Sequence, residues 1–521
     1  MNHSFNLVRQ PFVPCHRIDG SAVELSLLDV FREAHQLRAI IDASPLVTPA
    51  LHRLLLAILH RCFGPATPQD WAALWRGRSK GFPVDGIREY LQHWEHRFDL
   101  FDQVRPFYQT AALRTWPQRL PVSKLVPELA SANNATLFDH TCDGDAYAMT
   151  PAVAARAIIS AQSFSAGGTV SRDRKEDLSA DASPLASGAV VLVRGKTLAE
   201  TLLLNLHQYD QDEGEPFSGT DKDIPAWESD NDTRAEDRVP EGYLDLLTWQ
   251  SRRILLVPEP GQSGCTVVAG VVIMKGNQFP DDWAYRRREP MMAFRPMKKP
   301  KTLRDTWLPI SFEPGRALWR DSGALLQFQE EQDLSTRPRL FGWLNKLKND
   351  GALPDDFAFS FDVFGQVTDR ASVLLWRHER LPLPAAYLAE PVLTARLRDA
   401  LKFADDTYFK LRISAQECLK RLGTGKASPH LAALESRFWA ALELEFLPFF
   451  HALAKDRRVA EDGSVSFGDT QLGEWSDTAR RTAIQCYRDF SFGLGGTARV
   501  IIRTAQFENQ LRASLPVGTK T

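Results

Sequence analysis

The last third of the chain contains three long helical patterns, and they limit the possible folds more than any other feature. Residues 388–422, 429–454 and 473–514 contain few helix breakers, and the first and last are long enough to form two helices each. In the second, Glu435 to Leu453 is apolar at helical spacing, and Pro448 should bend the helix. Because apolar helix faces must pack together, we predict an up-and-down bundle of about four helices.

The earlier part of the chain mixes helical and strand patterns. At 521 residues, the chain is too long for one compact core and suggests about two to four domains. Apolar residues recur at helical spacing in 49–63, 85–98, 151–162 and 197–207, and strand patterns occur at 189–193, 252–257, 266–275 and 357–364. We therefore predict an α+β fold, with a large mixed α/β domain at residues 1–385 and a C-terminal four-helix bundle at residues 386–521.

Composition narrows the class of protein. Hydrophobic residues make up 44% and charged residues 25% of the chain, as in soluble globular proteins. The six cysteines are scattered without close pairs, which argues against a disulfide scaffold or a paired-cysteine zinc site. The N-terminus lacks the pattern of a signal peptide, and no apolar run approaches the roughly 20 residues of a membrane span. We expect a cytoplasmic protein without a metal or another cofactor.

Charge is distributed unevenly along the chain. Residues 210–241 hold twelve acids against three bases, which predicts a solvated, partly disordered surface insertion. Residues 286–304 hold eight bases against one acid, although the whole chain has a net charge of only −2. Such local positive charge favours a polyanion as partner. The bases, which are candidates for DNA backbone contacts, are Arg286, Arg287, Arg288, Arg295, Lys298, Lys299, Lys301 and Arg304.

Two glycine-containing motifs lack parts that a nucleotide-binding site requires. The stretch Gly423–Ala427 has no glycine at the earlier position of a phosphate loop, and it has Ala427 where Ser or Thr is needed. A loop that ends a helix is the favoured interpretation. Gly493–Gly496 lacks the preceding strand of a dinucleotide site and lies inside a helical pattern. Close helix packing or a kink is favoured there.

Metal and catalytic patterns are also incomplete. His140, Cys142, Asp143 and Asp145 offer metal-ligand types within six residues, but no second ligand group follows at a suitable spacing, so a polar loop is favoured. His93 and His96 are one helical turn apart and lack the glutamate of a zinc protease motif, which favours an exposed helix face. The absence of a complete catalytic set favours a binding protein.

Three short segments have a residue pattern that suits contact with a partner. They are Ala166-Gly167-Gly168, Lys275 before Gly276, and Thr368-Asp369-Arg370 after the predicted strand at 357–364. Glycines without Cβ atoms allow a backbone to approach a partner closely. Taken singly, each segment has a simpler interpretation: a flexible linker, a solvated lysine at a strand end and an ordinary hairpin turn.

In combination, these patterns resemble the CasA family, the large subunit of the type I-E CRISPR Cascade complex, over essentially the whole chain. The most specific parts are the helix PALHRLLLAIL at 49–59, Val193–Leu198 continuing through TLLLNL, and the order of the loops. The turn followed by Ala371-Ser372 and Arg377-His378 and the terminal helical region also fit. The order of these features carries the resemblance, since no single motif is as specific as a catalytic signature.

The resemblance implies a subunit that is not an enzyme. Family members recognise the protospacer-adjacent motif (PAM) in double-stranded DNA from the minor groove, help to open the duplex, and recruit a helicase-nuclease. The implied partners are target DNA, guide RNA with the other Cascade subunits, and that helicase-nuclease. The resemblance maps a glycine loop to Ala166, Gly167 and Gly168, a lysine finger to Lys275, a wedge to Thr368, Asp369 and Arg370, and a loop near the guide-RNA end to Leu137, Phe138, Asp139 and His140.

The chain departs from the family pattern at two places. Asp369 and Arg370 stand where the family wedge commonly has Asn-Gln, and an aspartate facing DNA would be repelled, whereas an arginine can stack on a base. Some relatives have a cysteine-rich zinc site in the middle region, where this chain has only Cys265. Two other functions remain open: a stand-alone nucleic-acid enzyme with an unrecognised acidic site, and a scaffold that binds another protein.

Overall fold

The computed structural model of the protein describes most of the chain. The described residues are 3–127, 147–171, 179–209, 222–261, 264–281, 289–297, 299–301, 306–313, 315–326, 337–354, 357–369, 372–423, 429–459, 465–467 and 469–516. They form two compact units, one containing the described residues up to 313 together with 337–383, and one containing 315–326 and 384–516.

The first unit mixes helices and short sheets, and the second is mainly helical. The helices are α1 Leu27–Glu33, α2 Val47–Phe63, α3 Pro68–Gly77, α4 Val84–His93, α5 Pro151–Phe164, α6 Leu198–Asn205, α7 Tyr243–Leu247, α8 Ser322–Leu326, α9 Arg339–Asn349, α10 Ala386–Ala389, α11 Pro391–Leu422, α12 Pro429–Lys455, α13 Asp469–Gly493 and α14 Ala498–Ser514. The strands are β1 Val13–Arg17, β2 Ala22–Leu25, β3 Leu37–Ile40, β4 Leu120–Pro121, β5 Gly168–Thr169, β6 Ser179–Ala180, β7 Val190–Arg194, β8 Arg252–Pro260, β9 Thr266–Lys275, β10 Phe294–Pro296, β11 Trp307–Pro309, β12 Phe359–Asp369, β13 Ser372–Leu383, β14 Arg457–Val459 and β15 Val465–Phe467.

Two antiparallel sheets position the residues of interest. In one, β9 lies between β4 and β8, and in the other, β12 lies between β13 and β7. Beneath the first sheet, Leu113, Leu255, Val272 and Met274 form a buried apolar cluster. The first sheet is therefore anchored on one face by packed side chains, which fixes the register of its strands.

Helices α2 and α5 form the helical part of the first core. Residues Val47 to His60 of α2 are all buried, which explains why its sequence is apolar around most of its circumference. In α5, Thr150 accepts a hydrogen bond from the Val153 amide, and Pro151 occupies a first-turn position that needs no amide donor. These local signals explain why the helix begins where the sequence predicts.

The second unit contains the predicted four-helix bundle, formed by α11, α12, α13 and α14. The α12 side chains Phe438, Leu442, Phe446 and Phe450 are buried at successive intervals of four residues, as a core-facing stripe requires. The helix continues through Pro448. The α+β fold class with a C-terminal four-helix bundle is thus confirmed.

Several predicted boundaries are wrong by a few residues. Helix α4 ends at His93, because a 3-10 turn at Glu95–Arg97 replaces its last turn. Gly493 is the last residue of α13, and the residues up to Gly496 separate α13 from α14, since Gly495 has a φ of 97° that a helix does not accept. Gly423 ends α11 in the left-handed conformation, as predicted for a loop that ends a helix.

The described part of the acidic segment is not simply solvated. Asp223 is buried and accepts hydrogen bonds from the amides of Leu244 and Asp245 at the start of α7. Glu228 is buried between Arg61 and Tyr90, both of which donate to it. Carboxylates with such donors can be buried, so the prediction of a solvated insertion is wrong for Asp223 and Glu228. The other described acids of this segment are exposed as predicted; they are Asp230, Asp232, Glu236, Asp237 and Glu241.

Among the described residues, no helix is long and apolar enough to cross a membrane.

Candidate nucleic-acid interface

The segment predicted as a glycine loop leaves the end of α5 and returns through a short pair of strands. Gly168 of β5 pairs with Ala180 of β6. A Cβ atom on Gly167 would lie 2.9 Å from the Ala182 nitrogen, closer than such contacts occur in proteins. Gly167 therefore packs closely against the backbone of residues 180–182 of the same chain. Residues 166–168 are held in place by this contact, whereas a linker would be free.

A buried arginine lies under this loop. The Arg252 guanidinium donates to the Ala166 carbonyl at 3.0 Å and to the Asp181 carbonyl at 2.7 Å, so it contacts the chain before and after the loop. It also donates to the Ser251 carbonyl at 2.9 Å. Burial lowers the pKa of Arg252 to about 10, which leaves the side chain charged at neutral pH.

Lys275 ends β9 directly beside the same arginine. In the β8–β9 ladder, Lys275 is the partner of Arg252, and Met274 forms a bridge with Ser171 of the loop segment. Facing residues of antiparallel strands project from the same face, so Lys275 and Arg252 share a face. The Lys275 side chain is partly exposed, and its ammonium group forms no ion pair with any residue that the structure describes.

Gly276 is required by packing. A Cβ atom there would lie 2.6 Å from the Gln250 carbonyl oxygen and 2.7 Å from the Arg252 nitrogen. Only glycine lets the chain turn across β8 at this point. Close packing against β8 therefore requires a glycine directly after Lys275, and the strand pattern alone does not predict this requirement.

The β12–β13 hairpin is joined to the same region by Gln366, which lies near the distal end of β12. The buried Gln366 amide donates to the Phe164 carbonyl at 2.9 Å and to the Ala186 carbonyl at 3.1 Å. Phe164 is the last residue of α5, from which the glycine loop departs. Gln366 therefore links the hairpin to the loop through two short hydrogen bonds.

The predicted wedge residues lie at the far end of the hairpin. The prediction that Thr368 and Asp369 form the turn is wrong, because β12 continues past Phe364 and both residues still pair with β13. Every residue from Phe361 to Val367 is buried, so β12 stays in the core beyond the predicted limit. Thr368 is exposed. Arg370, like the side chain of Asp369, lies outside the described residues.

A buried polar network supports this arrangement. The Gln162 side chain donates to the Arg252 carbonyl at 2.9 Å and accepts from the Arg252 amide at 3.0 Å. The Ser183 and Ser251 hydroxyls lie 2.7 Å apart, and the Gln278 side chain accepts from the Asp181 amide at 2.6 Å. Satisfied buried networks of this kind hold their members in one geometry.

Sequence reasoning missed Arg252, Gln366 and the network residues. Arg252 and Gln366 are polar residues on strands that otherwise carry buried apolar side chains. That placement is the signal that could have identified them, because a polar group in a core position must find a partner.

The base of the hairpin contains a second charged cluster. Asp362 is buried and accepts hydrogen bonds from Arg194 at 2.8 Å and from Arg380 at 2.7 Å, with His378 at 3.3 Å. Burial alone would raise the pKa of Asp362, but the hydrogen bonds from His378, Arg380 and Arg194 outweigh it and hold the pKa well below its ordinary value. This cluster connects β7, β12 and β13.

The basic segment is only partly described. Arg295, Lys299 and Lys301 are exposed. Glu289, the one acid in the segment, is buried and paired with Arg53 at 2.9 Å, so its charge is compensated inside the first unit. The remaining candidate bases lie outside the described residues; they are Arg286, Arg287, Arg288, Lys298 and Arg304.

Other candidate residues also fall outside the description. Leu137, Phe138, Asp139 and His140 belong to this set, as do Cys142, Asp143 and Asp145. Within the described ranges, no group of three or more His, Cys, Asp or Glu side chains could hold a metal ion.

Comparison with known proteins identifies relatives across almost the whole chain. The family model of CRISPR-associated protein Cse1 matches residues 6–486. The CRISPR-associated protein CasA/Cse1 of Thermus thermophilus is 34% identical over 97% of this chain and 96% of its own length.

Solved structures agree. Thermus thermophilus CasA has a TM-score of 0.79 at 30% identity, covering 98% of this chain and 99% of its own. Thermobifida fusca Cse1 has a TM-score of 0.81 at 27% identity, covering 98% and 97%. A chain from a structure described as a CRISPR RNA-guided surveillance complex has a TM-score of 0.76 at 22% identity, covering 98% and 99%, a likeness of fold alone. The resemblance seen in the sequence is confirmed, and the protein belongs to the CRISPR-associated Cse1 family.

Proposed function

We propose that this protein is the non-catalytic large subunit of a type I-E Cascade complex and acts in the cytoplasm. It recognises the PAM in double-stranded DNA through the minor groove, promotes duplex opening and R-loop formation, and recruits the helicase-nuclease. Family membership supports this proposal, as does the fold shared with a chain of an RNA-guided surveillance complex. The other Cascade subunits and the guide RNA are the partners that it requires.

One observation carries the proposal for DNA reading. The glycine loop, Lys275 and the β12–β13 hairpin are separated in sequence. Arg252 hydrogen-bonds the Ala166 carbonyl and pairs with Lys275 in the β8–β9 ladder, and Gln366 of the hairpin hydrogen-bonds the Phe164 carbonyl, two residues before the loop. The minor groove is narrow and offers few distinguishing groups, so it suits a glycine backbone and a slender lysine. We assign this role to the mixed α/β domain at residues 1–385, and a supporting role to the bundle at 386–521.

The hairpin suits a wedge because a paired ribbon is stiff. The β12–β13 ladder extends from Phe359 opposite Leu383 to Asp369 opposite Ser372. Wedging apart a base step costs roughly a few kcal/mol, and contacts to the opened DNA offset that free energy. We assign the wedge to Thr368, Asp369 and Arg370 at the end of this ladder.

The remaining sequence candidates have supporting roles. We assign backbone contacts to the basic segment, since exposed lysines and arginines bind phosphates without reading sequence. Leu137, Phe138, Asp139 and His140 are assigned to the region near the PAM and the guide-RNA end. Guide pairing supplies most of the sequence specificity in such complexes.

Binding measured with the reconstituted complex tests the proposal. Guide RNA, the other subunits and this chain are mixed with duplexes that share one target sequence and differ only in the three base pairs that flank it. We expect at least a tenfold preference for some flanks, and no preference with a target opened beforehand. Equal affinity for every flank, or metal-dependent DNA cleavage by the purified chain, would contradict the proposal.

A further inference from the structure

The environment of Arg252 is unusual for a buried cation. Arg252 is 2% exposed, and its described hydrogen-bond acceptors are the main-chain carbonyls of Ala166, Asp181 and Ser251. The charge of the Asp181 carboxylate favours the protonated form of Arg252, but burial outweighs it and lowers the pKa of Arg252. Removing a charge from water costs several kcal/mol unless polar groups compensate for it. An apolar residue could fill the same space without this desolvation cost. The geometry of the arginine hydrogen bonds is therefore the feature that explains a charged residue at this position.

The three carbonyls show what that geometry achieves. Ala166 lies just before the β5–β6 strand pair, and Asp181 lies just after it. One planar guanidinium therefore holds the chain on both sides of the β5–β6 strand pair, at the first residue of the glycine loop and directly after β6. An arginine fork presents five N–H donors in fixed directions, whereas a lysine ammonium acts as a compact point charge.

The same residue is fixed to two other elements. Its main chain is hydrogen-bonded to the Gln162 side chain of α5, and it faces Lys275 across the β8–β9 ladder. The position of the loop relative to Lys275 therefore depends on Arg252. Because few groups distinguish base pairs in the minor groove, a small displacement of either reader removes much of the discrimination.

We propose that Arg252 is a positioning residue that holds the glycine loop against Lys275 and thereby sets which flanking base pairs the complex accepts. This inference rests on the proposed function. Arg252 does not touch DNA; it acts through the chain that it binds on both sides of the β5–β6 strand pair. Replacement by lysine retains the charge and removes the fork.

The test compares four complexes: the parent, Arg252→Lys, Lys275→Ala and a matched control, Arg320→Lys. The Arg320 side chain is 8% exposed, belongs to the second unit, and lies 3.4 Å over the Trp439 ring. The measured quantity is the ratio of affinities for the best and worst flanking sequences, together with the affinity for an opened target. We expect Arg252→Lys to reduce the ratio five- to tenfold and to leave the affinity for opened target within twofold. Arg320→Lys should leave the ratio unchanged.

The outcomes separate this inference from the proposed function. If the parent complex has no flank preference, both fail. If the parent shows a preference that Lys275→Ala reduces, but Arg252→Lys matches the parent, only the positioning role of Arg252 is overturned. A general loss of affinity for opened and closed targets alike would also overturn it, because that result indicates damage to the fold.

A second variant covers the case in which Arg252→Lys does not assemble. Gly167→Ala places a Cβ atom 2.9 Å from the Ala182 nitrogen and pushes the loop away from the same contacts. We expect the same reduced ratio, and faster amide hydrogen exchange at residues 164–171. An unchanged ratio with faster exchange would overturn the inference, since the loop would have moved without effect on recognition.

Discussion

Lys275 owes its position to the residue that follows it. Gly276 lets β9 cross β8 closely, and Arg253 donates to the Lys275 carbonyl at 2.7 Å, so the main chain is held on both sides. The side chain carries an ammonium group without an ion pair among the described residues. A fixed main chain under an available charge is the arrangement that a reading residue needs.

We expect Lys275→Ala to weaken binding of the preferred duplex about tenfold, equivalent to about 1.4 kcal/mol, because one charge-assisted contact is lost. Assembly with guide RNA should be unaffected. Filter binding on closed and opened targets measures the change. Lys299→Ala, which removes another exposed lysine of the first unit, is the control and should reduce affinity less than threefold. Equal losses for the two variants would argue against a specific role for Lys275.

At the scale of elements, the β12–β13 hairpin combines a fixed base with an exposed end. Asp362 and Gln366 bind neighbouring elements with buried hydrogen bonds, whereas Thr368 is exposed. The register shifts between Val367 and Thr368, which leaves only two paired positions beyond that point. The hairpin therefore has a rigid part and a short distal part.

This division predicts opposite effects of two substitutions at the distal end. Arg370→Ala should slow duplex opening at least threefold, since an arginine can stack on a separated base. Asp369→Asn should speed opening, because it removes from the proposed wedge a negative charge that DNA phosphates would repel. Strand opening followed by 2-aminopurine fluorescence measures both rates. Initial binding should change less than opening in each case. Identical opening rates for the two variants and the parent would remove the wedge role.

The elements also show how far sequence reasoning reaches. The four-helix bundle and the strands at β8 and β9 were predictable, because their apolar spacing repeats over many residues and local propensity agrees with packing. The proximity of the glycine loop to Lys275 was not predictable from sequence spacing. It depends on hydrogen bonds from Arg252 to the Asp181 and Ala166 carbonyls, which are 71 and 86 positions away along the chain. The length of β12 was underestimated because Gly365 and Gln366 interrupt the apolar alternation.

At the scale of the whole molecule, a near-neutral chain presents charge locally. Arg295, Lys299 and Lys301 are exposed in a protein whose net charge is −2. Replacing all three by glutamine should reduce the slope of log affinity against log salt concentration by about 2 to 3, because each phosphate contact releases nearly one counterion. Titration of DNA binding at several salt concentrations measures this slope.

The control variant replaces three exposed lysines on α11 in the same way and should leave the slope unchanged. They are Lys402, Lys410 and Lys420. A constant slope in the first variant would assign the segment to protein or solvent.

Buried histidines predict the acid sensitivity of the fold. Burial lowers the pKa of His52 to about 4, of His60 to about 3 and of His207 to about 4. The unfolded chain binds these protons near pH 6.5 and the folded chain does not, so each histidine destabilises the fold as pH falls below that value. Above about pH 7 the effect vanishes. Three such groups give a slope of at most about 4 kcal/mol per pH unit.

His60→Leu isolates one of these groups. Both His60 ring nitrogens are buried without a hydrogen-bond partner among the described residues, between the rings of Tyr209 and Tyr243. We expect the variant to be at least as stable as the parent at pH 7, and its free energy of unfolding to fall about one-third less steeply between pH 6 and pH 4.5. Urea denaturation at several pH values measures both quantities. A steeper fall in the variant would contradict the sign of the argument.

The register shift in the β12–β13 ladder has a consequence for how such a family diversifies. Asp362 and Gln366, before the shift, bind neighbouring elements, and the described pairing beyond it joins Thr368 to Val373 and Asp369 to Ser372. We therefore expect substitutions at the proposed wedge, including Asp369-Arg370 in place of the Asn-Gln pair that the resemblance implies, to leave the fold undisturbed. The distal segment of the hairpin can be replaced while the proximal part stays fixed, and distal segments from other family members are suitable for direct transfer onto this chain.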